Sequence, residues 1–222
     1  MASRRGAVLW VVAAIGYLLL EAVAAAGFAP AYSYARNYIS DLGLTGGKLV
    51  DGRPVHSPRA HVMHAAFCLQ GILFLLGAAL IVGVPDNRRA RVFLGTVAAN
   101  AVGNVVIATA HSGTAHVGGA ALAIAGGNAA IAAGPDAIGA LAGRRRYRAV
   151  SKTLAALGLS CMTMLVVNSK TSRTLLLPDG VWERGSVYSI IAWQLLTAAG
   201  LLARTSRAAA RSGSPRRPGR RR

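Results

Sequence analysis

The sequence predicts an all-α protein, a six-helix transmembrane bundle with both termini cytoplasmic, and three observations predict it. Hydrophobic residues make up 54% of the 222 residues and charged residues only 14%, whereas soluble domains carry about 25% charged residues. Six apolar stretches approach the roughly 20 residues that a helix needs to cross about 30 Å of hydrocarbon. The 25 Lys and Arg are confined to the gaps between those stretches and to the ends of the chain. Strands are excluded as spans, because period-two alternation is absent and lipid offers free backbone groups no partner.

The first span covers residues 7–29. Arg4 and Arg5 precede it, and Ala22-Val23-Ala24 resembles a signal-peptidase site. The run is nevertheless longer than the usual apolar region of about 7–15 residues in a signal peptide, and it carries Glu21 just before that site. A retained helix is the expectation. The second span covers residues 61–84, the third 92–111 and the fourth 116–134. The fifth, 153–168, is the shortest, with Lys152 and Lys170 placed to snorkel to opposite interfaces. The sixth covers residues 186–203.

Together residues 1–204 read as a single transmembrane domain. Residues 205–222 are mostly Arg, Ser, Pro, Gly and Ala, with little to bury, and read as a disordered basic cytoplasmic tail. Each arginine there adds about 1 kcal/mol of attraction to anionic inner-leaflet headgroups. Gly95, Ala99 and Gly103, four apart on the third span, mark a face where another helix can approach closely.

Charge gives the sidedness through the excess of Lys and Arg on cytoplasmic segments. With the N-terminus inside, the outer segments hold Arg36, Lys48, Arg53, Arg59, Lys170, Arg173 and Arg184, and the other 18 of the 25 basic residues lie inside. This placement between spans assigns the formal charge of +18 to topology and lipid headgroups, and no nucleic-acid partner is expected. Cys68 and Cys161 both fall inside apolar segments and read as small hydrophobes.

The ionisable residues then sort toward the outer ends of the spans. His56, His61, His64, His111 and His116 all fall there, with Asp41, Asp51, Asp179 and Glu183. His61 and His64 share a helical face, which Cys68 continues. Asn100, Asn104 and His111 fall within about 60° of one another on the third helix, and a polar stripe facing a bundle interior is a functional candidate. Three readings compete for this mouth. His61, His64, His111 and His116, joined by Asp41 or Glu183, have ligand types that zinc accepts, but in no recognised zinc spacing. Asn100, Asn104, His111 and Arg184 have the donors for a headgroup or small ligand. The third reading is of interfacial polar residues that satisfy each other and water. Glu21 follows Tyr17 by one turn, which would satisfy part of its carboxyl; it reads chiefly as a helix residue near the outer interface.

Four segments carry a resemblance: Asn37-Tyr38-Ile39-Ser40-Asp41-Leu42-Gly43; His64 with Gln70-Gly71 and the run from Ile72 to Leu76; His116; and Glu183-Arg184 followed by Tyr188 and Trp193-Gln194. Together they resemble domain-of-unknown-function family 998, small multi-pass membrane proteins of bacteria and archaea, over the chain from the first span to the sixth. The resemblance implies six spans and no reaction. Physically, Ser40 and Asp41 suit a helix N-cap, or a hydroxyl and an acid beside a histidine in a hydrolytic site. Arg184 would pair with Asp41 across the mouth or bind an anionic headgroup. Glu183 would sit near the start of the last helix, with the favourable dipole sign.

The expected function is binding or scaffolding of a lipid or envelope component at the outer face of a prokaryotic cell membrane. The runner-up is a metal-assisted membrane hydrolase drawing on Ser40, Asp41, His64, His116 and Glu183, and a transporter ranks third. Membrane lipids are the expected partners. The sequence does not fix the oligomeric state.

Overall fold

The computed structural model describes residues 2–45, 48–50 and 53–212. It contains six long helices: α1 (Ala2–Ala25), α2 (Ala60–Val82), α3 (Arg88–Thr109), α4 (Gly113–Ala137), α5 (Arg145–Thr171) and α6 (Asp179–Ser212). All 6 are long and apolar enough to cross a membrane. Each packs on the next, and α6 closes back on α1 while also touching α4. The start of α1, the end of α6 and the α2–α3 and α4–α5 connections share one end of the bundle, the terminal end. The other three connections share the opposite end, the mouth.

The helices are apolar on both faces. Along α1, Ala7, Trp10, Ala14 and Tyr17 are buried inward, while Val8, Val12, Ile15, Leu19 and Val23 stay exposed. Leu76 on α2, Val102 on α3, Val117 on α4 and Leu157 on α5 are exposed as well. A belt of exposed aliphatic side chains around helices that already have a core is a surface made for lipid. The chain is a multi-pass membrane protein.

Element boundaries differ from the sequence expectation where arginine borders an apolar run. The fifth helix, expected to be the shortest, runs 27 residues from Arg145. The sixth begins at Asp179 rather than near residue 186 and continues through Ser212. Ala and Arg are among the best helix formers, so the hydrogen-bonded helix outlasts the apolar stretch. The helix thus continues over residues 205–212; the rest of the basic tail, 213–222, lies outside the described residues. The first helix ends at Ala25, and the described residues between it and α2, 26–45, 48–50 and 53–59, belong to a connection at the mouth. That connection holds a 3-10 turn over Ser40–Gly43 and a small antiparallel hairpin, β1 (Lys48–Val50) with β2 (Arg53–Val55), in which Lys48 pairs with Val55.

The core of the terminal half is aromatic. Trp10 lies 5.3 Å from the ring of Phe74 and 5.3 Å from that of Trp193. A buried indole N–H needs an acceptor; Trp10 Nε1 donates to the Phe74 carbonyl at 3.0 Å and Trp193 Nε1 to Ser151 Oγ at 3.0 Å. Toward the mouth the core passes to Tyr17, Ile39, Leu42, Met63, Phe67 and Ile107. The expected close-approach face is half present. Gly103 packs directly on the Gly119–Ala123 backbone of α4, and Ala99 meets Gly126, but Gly95 points into open space.

Candidate functional site

At the mouth, residues 26–45 of the connection between α1 and α2 fold back over the bundle. Their 3-10 turn is held by Asp41, whose carboxylate accepts from Asn37 Nδ2 at 3.0 Å and from the Tyr38 N–H at 3.1 Å. The turn is anchored from below. His64 Nε2 bonds the Gly43 carbonyl at 2.8 Å, and Ser57 Oγ donates to the Leu42 carbonyl at 2.7 Å. Asp41 thus serves backbone and amide donors of its own turn. The residue preceding the turn, Ile39, makes no side-chain cap, so the expected N-cap takes a different form.

Arg184 joins this connection to two helices. It does not pair with Asp41, as one sequence reading had it; its Nη2 lies 3.1 Å from Glu21 Oε1 on α1, with both side chains buried. Its Nη1 donates to the carbonyls of Tyr34 at 2.7 Å, Asn37 at 2.9 Å and Gly180 at 3.1 Å. Nη2 also donates to Tyr32 Oη, and the guanidinium carbon sits 5.3 Å and 4.9 Å from the ring centroids of Tyr32 and Tyr34. Five donors in a planar fork suit arginine to such a junction. Glu21 takes its second bond from Tyr188 Oη at 2.9 Å rather than from Tyr17. Burial pushes the Tyr32 phenol well above its ordinary pKa, against the pull of Arg184, so it stays a neutral hydroxyl that donates on to the Tyr38 carbonyl at 2.9 Å.

Glu183, beside Arg184, is buried and accepts the Ile39 N–H. Because α6 starts at Asp179, Glu183 sits one turn inside it. Asp179 takes the N-terminal place, accepting from Tyr38 Oη at 2.9 Å and from Asn168 Nδ2 at 2.7 Å. The Asn37–Gly43 string and the Glu183–Tyr188 segment, far apart in sequence, form one hydrogen-bonded assembly.

The histidines divide. His64 and His111 stack with centroids 4.3 Å apart and planes 6° apart; His61 and His111 are exposed. His116 Nδ1 donates to the Ala110 carbonyl at 2.7 Å, because a carbonyl only accepts; in a neutral imidazole that bond makes Nε2 the acceptor. Among the described residues no group of three or more His, Cys, Asp or Glu converges as a metal shell would. The Asn100–Asn104–His111 stripe is interrupted as well. Asn100 Nδ2 donates to the Ala123 carbonyl at 2.7 Å and Asn104 Nδ2 to the Asn100 carbonyl at 2.9 Å, both buried, whereas His111 lies outside on His64.

Two spaces adjoin at this end. An internal cavity of about 40 Å³ is lined by Tyr17, Ser40, Phe67, Gln70, Asn100, Asn104 and Glu183, among others; at about 10–15 Å³ each it has room for a few waters. A larger groove of about 420 Å³ lies between α4 and α5. Val117, Ala121, Leu165 and Val166 make its apolar walls, and Tyr38, Ser40, His116, Ser169, Lys170 and Glu183 its polar rim. Ser40, Ala120, Ile124 and Glu183 line both spaces. Of the residues that the sequence singled out, Ser40, His116 and Glu183 meet in the groove and Asn100 and Asn104 meet in the cavity.

The sequence reading had no role for Gln70, Gln194 and Asn128, all buried in mid-span. The signal was available, since intramembrane amides are costly wherever they occur. Gln70 Nε2 donates to Gln194 Oε1 at 2.6 Å, while Gln70 Oε1 and Gln194 Nε2 find no protein partner. Removing one member of a buried pair orphans the other, but removing both is nearly neutral. Gln70→Leu alone is therefore expected to cost about 1–3 kcal/mol and Gln70→Leu with Gln194→Leu under about 1 kcal/mol, read by unfolding in mild detergent.

No curated protein and no solved structure matches this chain. A family described as "Protein of unknown function (DUF998)" does, over residues 8–200. That match spans both halves of the mouth assembly and all six helices, and the chain belongs to this family.

Proposed function

We propose that this protein sits in the cell membrane of a prokaryote with both termini cytoplasmic, and that at its outward mouth it binds a lipid or a lipid-linked envelope component. The groove between α4 and α5 carries the reading. Val117 is 66% exposed and Val166 47%, so its walls are open to lipid along the helices. Its rim supplies hydroxyls, an imidazole, one ammonium at Lys170 and one carboxyl at Glu183. An apolar slot with a few convergent polar groups at one end is the usual form of an amphiphile site. In this reading a hydrocarbon chain lies against Val117, Ala121 and Val166 while the head meets Ser40, His116 and Lys170. The excess of basic residues at the terminal end supports the orientation.

One observation favours a hydrolytic variant of the same reading. Ser40, His116 and Glu183 line one groove, and the His116 tautomer leaves Nε2 free to accept a proton from a hydroxyl. A single experiment separates the two: purified protein is incubated with membrane-lipid extract, and bound lipid and released products are both measured by mass spectrometry. Ala121→Trp, which fills the groove from its exposed side, is expected to lower bound lipid at least about tenfold, a loss of about 1.4 kcal/mol. Unchanged lipid in that variant would refute the binding site. Product that accumulates with wild type and vanishes in Ser40→Ala and His116→Ala would establish hydrolysis.

A further inference from the structure

A second groove, of about 520 Å³, lies at the terminal end where the start of α5 meets α6. Its walls divide by chemistry. Leu141, Val150 and Leu196 are aliphatic, and Arg144, Arg145 and Arg146 bring three guanidiniums. All three arginines are exposed. Their neighbour Arg148 is taken by Asp136 at 2.8 Å, and the residues lining the groove include no acid. Positive charge on this side satisfies topology wherever it falls in a short connection. Topology does not ask for it to border an apolar slot.

We propose that this groove binds one anionic phospholipid. Its phosphodiester lies on Arg144, Arg145 and Arg146, and an acyl chain runs along Leu141, Val150 and Leu196. Guanidinium forks match phosphate oxygens with paired hydrogen bonds, and the aliphatic wall gives the chain a partner that free phosphate would leave bare. Tyr147 makes the floor rigid, its hydroxyl 2.9 Å from Thr197 Oγ1 on α6. Gly200 keeps the slot wide: an added Cβ there would meet only Leu141, at 3.4 Å. The site lies at the opposite end of the bundle from the α4–α5 groove and does not depend on it.

The test uses the full chain in neutral detergent, titrated with phosphatidylglycerol or phosphatidylcholine of the same chain length and read by native mass spectrometry. Tight binding of phosphatidylglycerol that equal phosphatidylcholine does not displace is expected. Arg144→Gln, Arg145→Gln and Arg146→Gln together should weaken it about 100-fold, from the attraction of three basic residues at a membrane surface. The corresponding control, Arg88→Gln, Arg89→Gln and Arg91→Gln, should leave it within about twofold, because charge alone is not the site. Gly200→Leu should displace the lipid with every arginine in place; if that variant does not fold, Val150→Trp blocks the same slot from its exposed side. Equal losses from the two arginine triples, binding unaffected by the blocking variant, or inorganic phosphate competing as well as the lipid would each overturn the proposal.

Discussion

Arg184→Ala is expected to destabilise the protein by about 3–5 kcal/mol, the loss typical of breaking a buried ion pair from one side. The substitution strands the Glu21 carboxyl on α1 and releases the carbonyls of Tyr34, Asn37 and Gly180. The mouth connection would lose its link through Arg184 to Glu21 on α1 and keep the bonds of Ile39 and Tyr38 to Glu183 and Asp179 on α6 and of Gly43 to His64 on α2. Arg184→Lys should recover little, because an ammonium cannot span the same set of acceptors. Glu21→Gln should cost about 1–2 kcal/mol, since an amide still accepts from the guanidinium. Unfolding in detergent measures the order, and limited proteolysis within residues 31–45 reports whether the connection lifts. An Arg184→Ala protein within about 1 kcal/mol of wild type, with that segment still protected, would refute the role assigned to Arg184.

Gly103→Val is expected to cost about 3 kcal/mol or more, at the severe end of overpacking. Any Cβ at Gly103 falls 2.8 Å from the Ala123 Cα and closer still to neighbouring backbone atoms of α4. Backbone cannot rotate away as a side chain does, so α3 and α4 must separate. Gly95→Ala, two turns earlier, meets nothing within 4 Å and should be neutral or stabilising by up to about 1 kcal/mol through lost backbone freedom. Equal effects of the two substitutions on detergent unfolding would contradict the packing of α3 on α4 described above.

The contrast between Gly95 and Gly103 shows how far spacing carries. Small residues four apart identify a face, but only the length of the helix crossing decides which of them touches the partner. The histidines illustrate the same limit. His111 follows Asn104 at helical spacing, yet α3 ends at Thr109, so the chain turns before the stripe reaches the histidine. Arg184 was legible as a cation that pairs with Asp41 or meets an anionic headgroup; its actual partner, Glu21, was not, because the reading placed that carboxyl beside Tyr17 on its own helix. Ser40, His116 and Glu183 were each singled out by residue type and by their place near the mouth. That they border one groove follows from how the α1–α2 connection lies across α4, α5 and α6.

Sequence alone determined the solvent and the number of crossings, because transfer of a segment into hydrocarbon is a local quantity that adds up residue by residue along the chain. It also placed the histidines and most of the carboxyls near the ends of the spans, because lipid disfavours ionisable side chains in mid-span. Tertiary structure decided who meets whom. Glu21 and Arg184 stand 163 positions apart, and Gln70 and Gln194 stand 124 apart; such pairs depend on how each helix is rotated about its axis and on the path of the mouth connection. Those rotations are set by packing among all six helices together, which no single stretch of sequence contains.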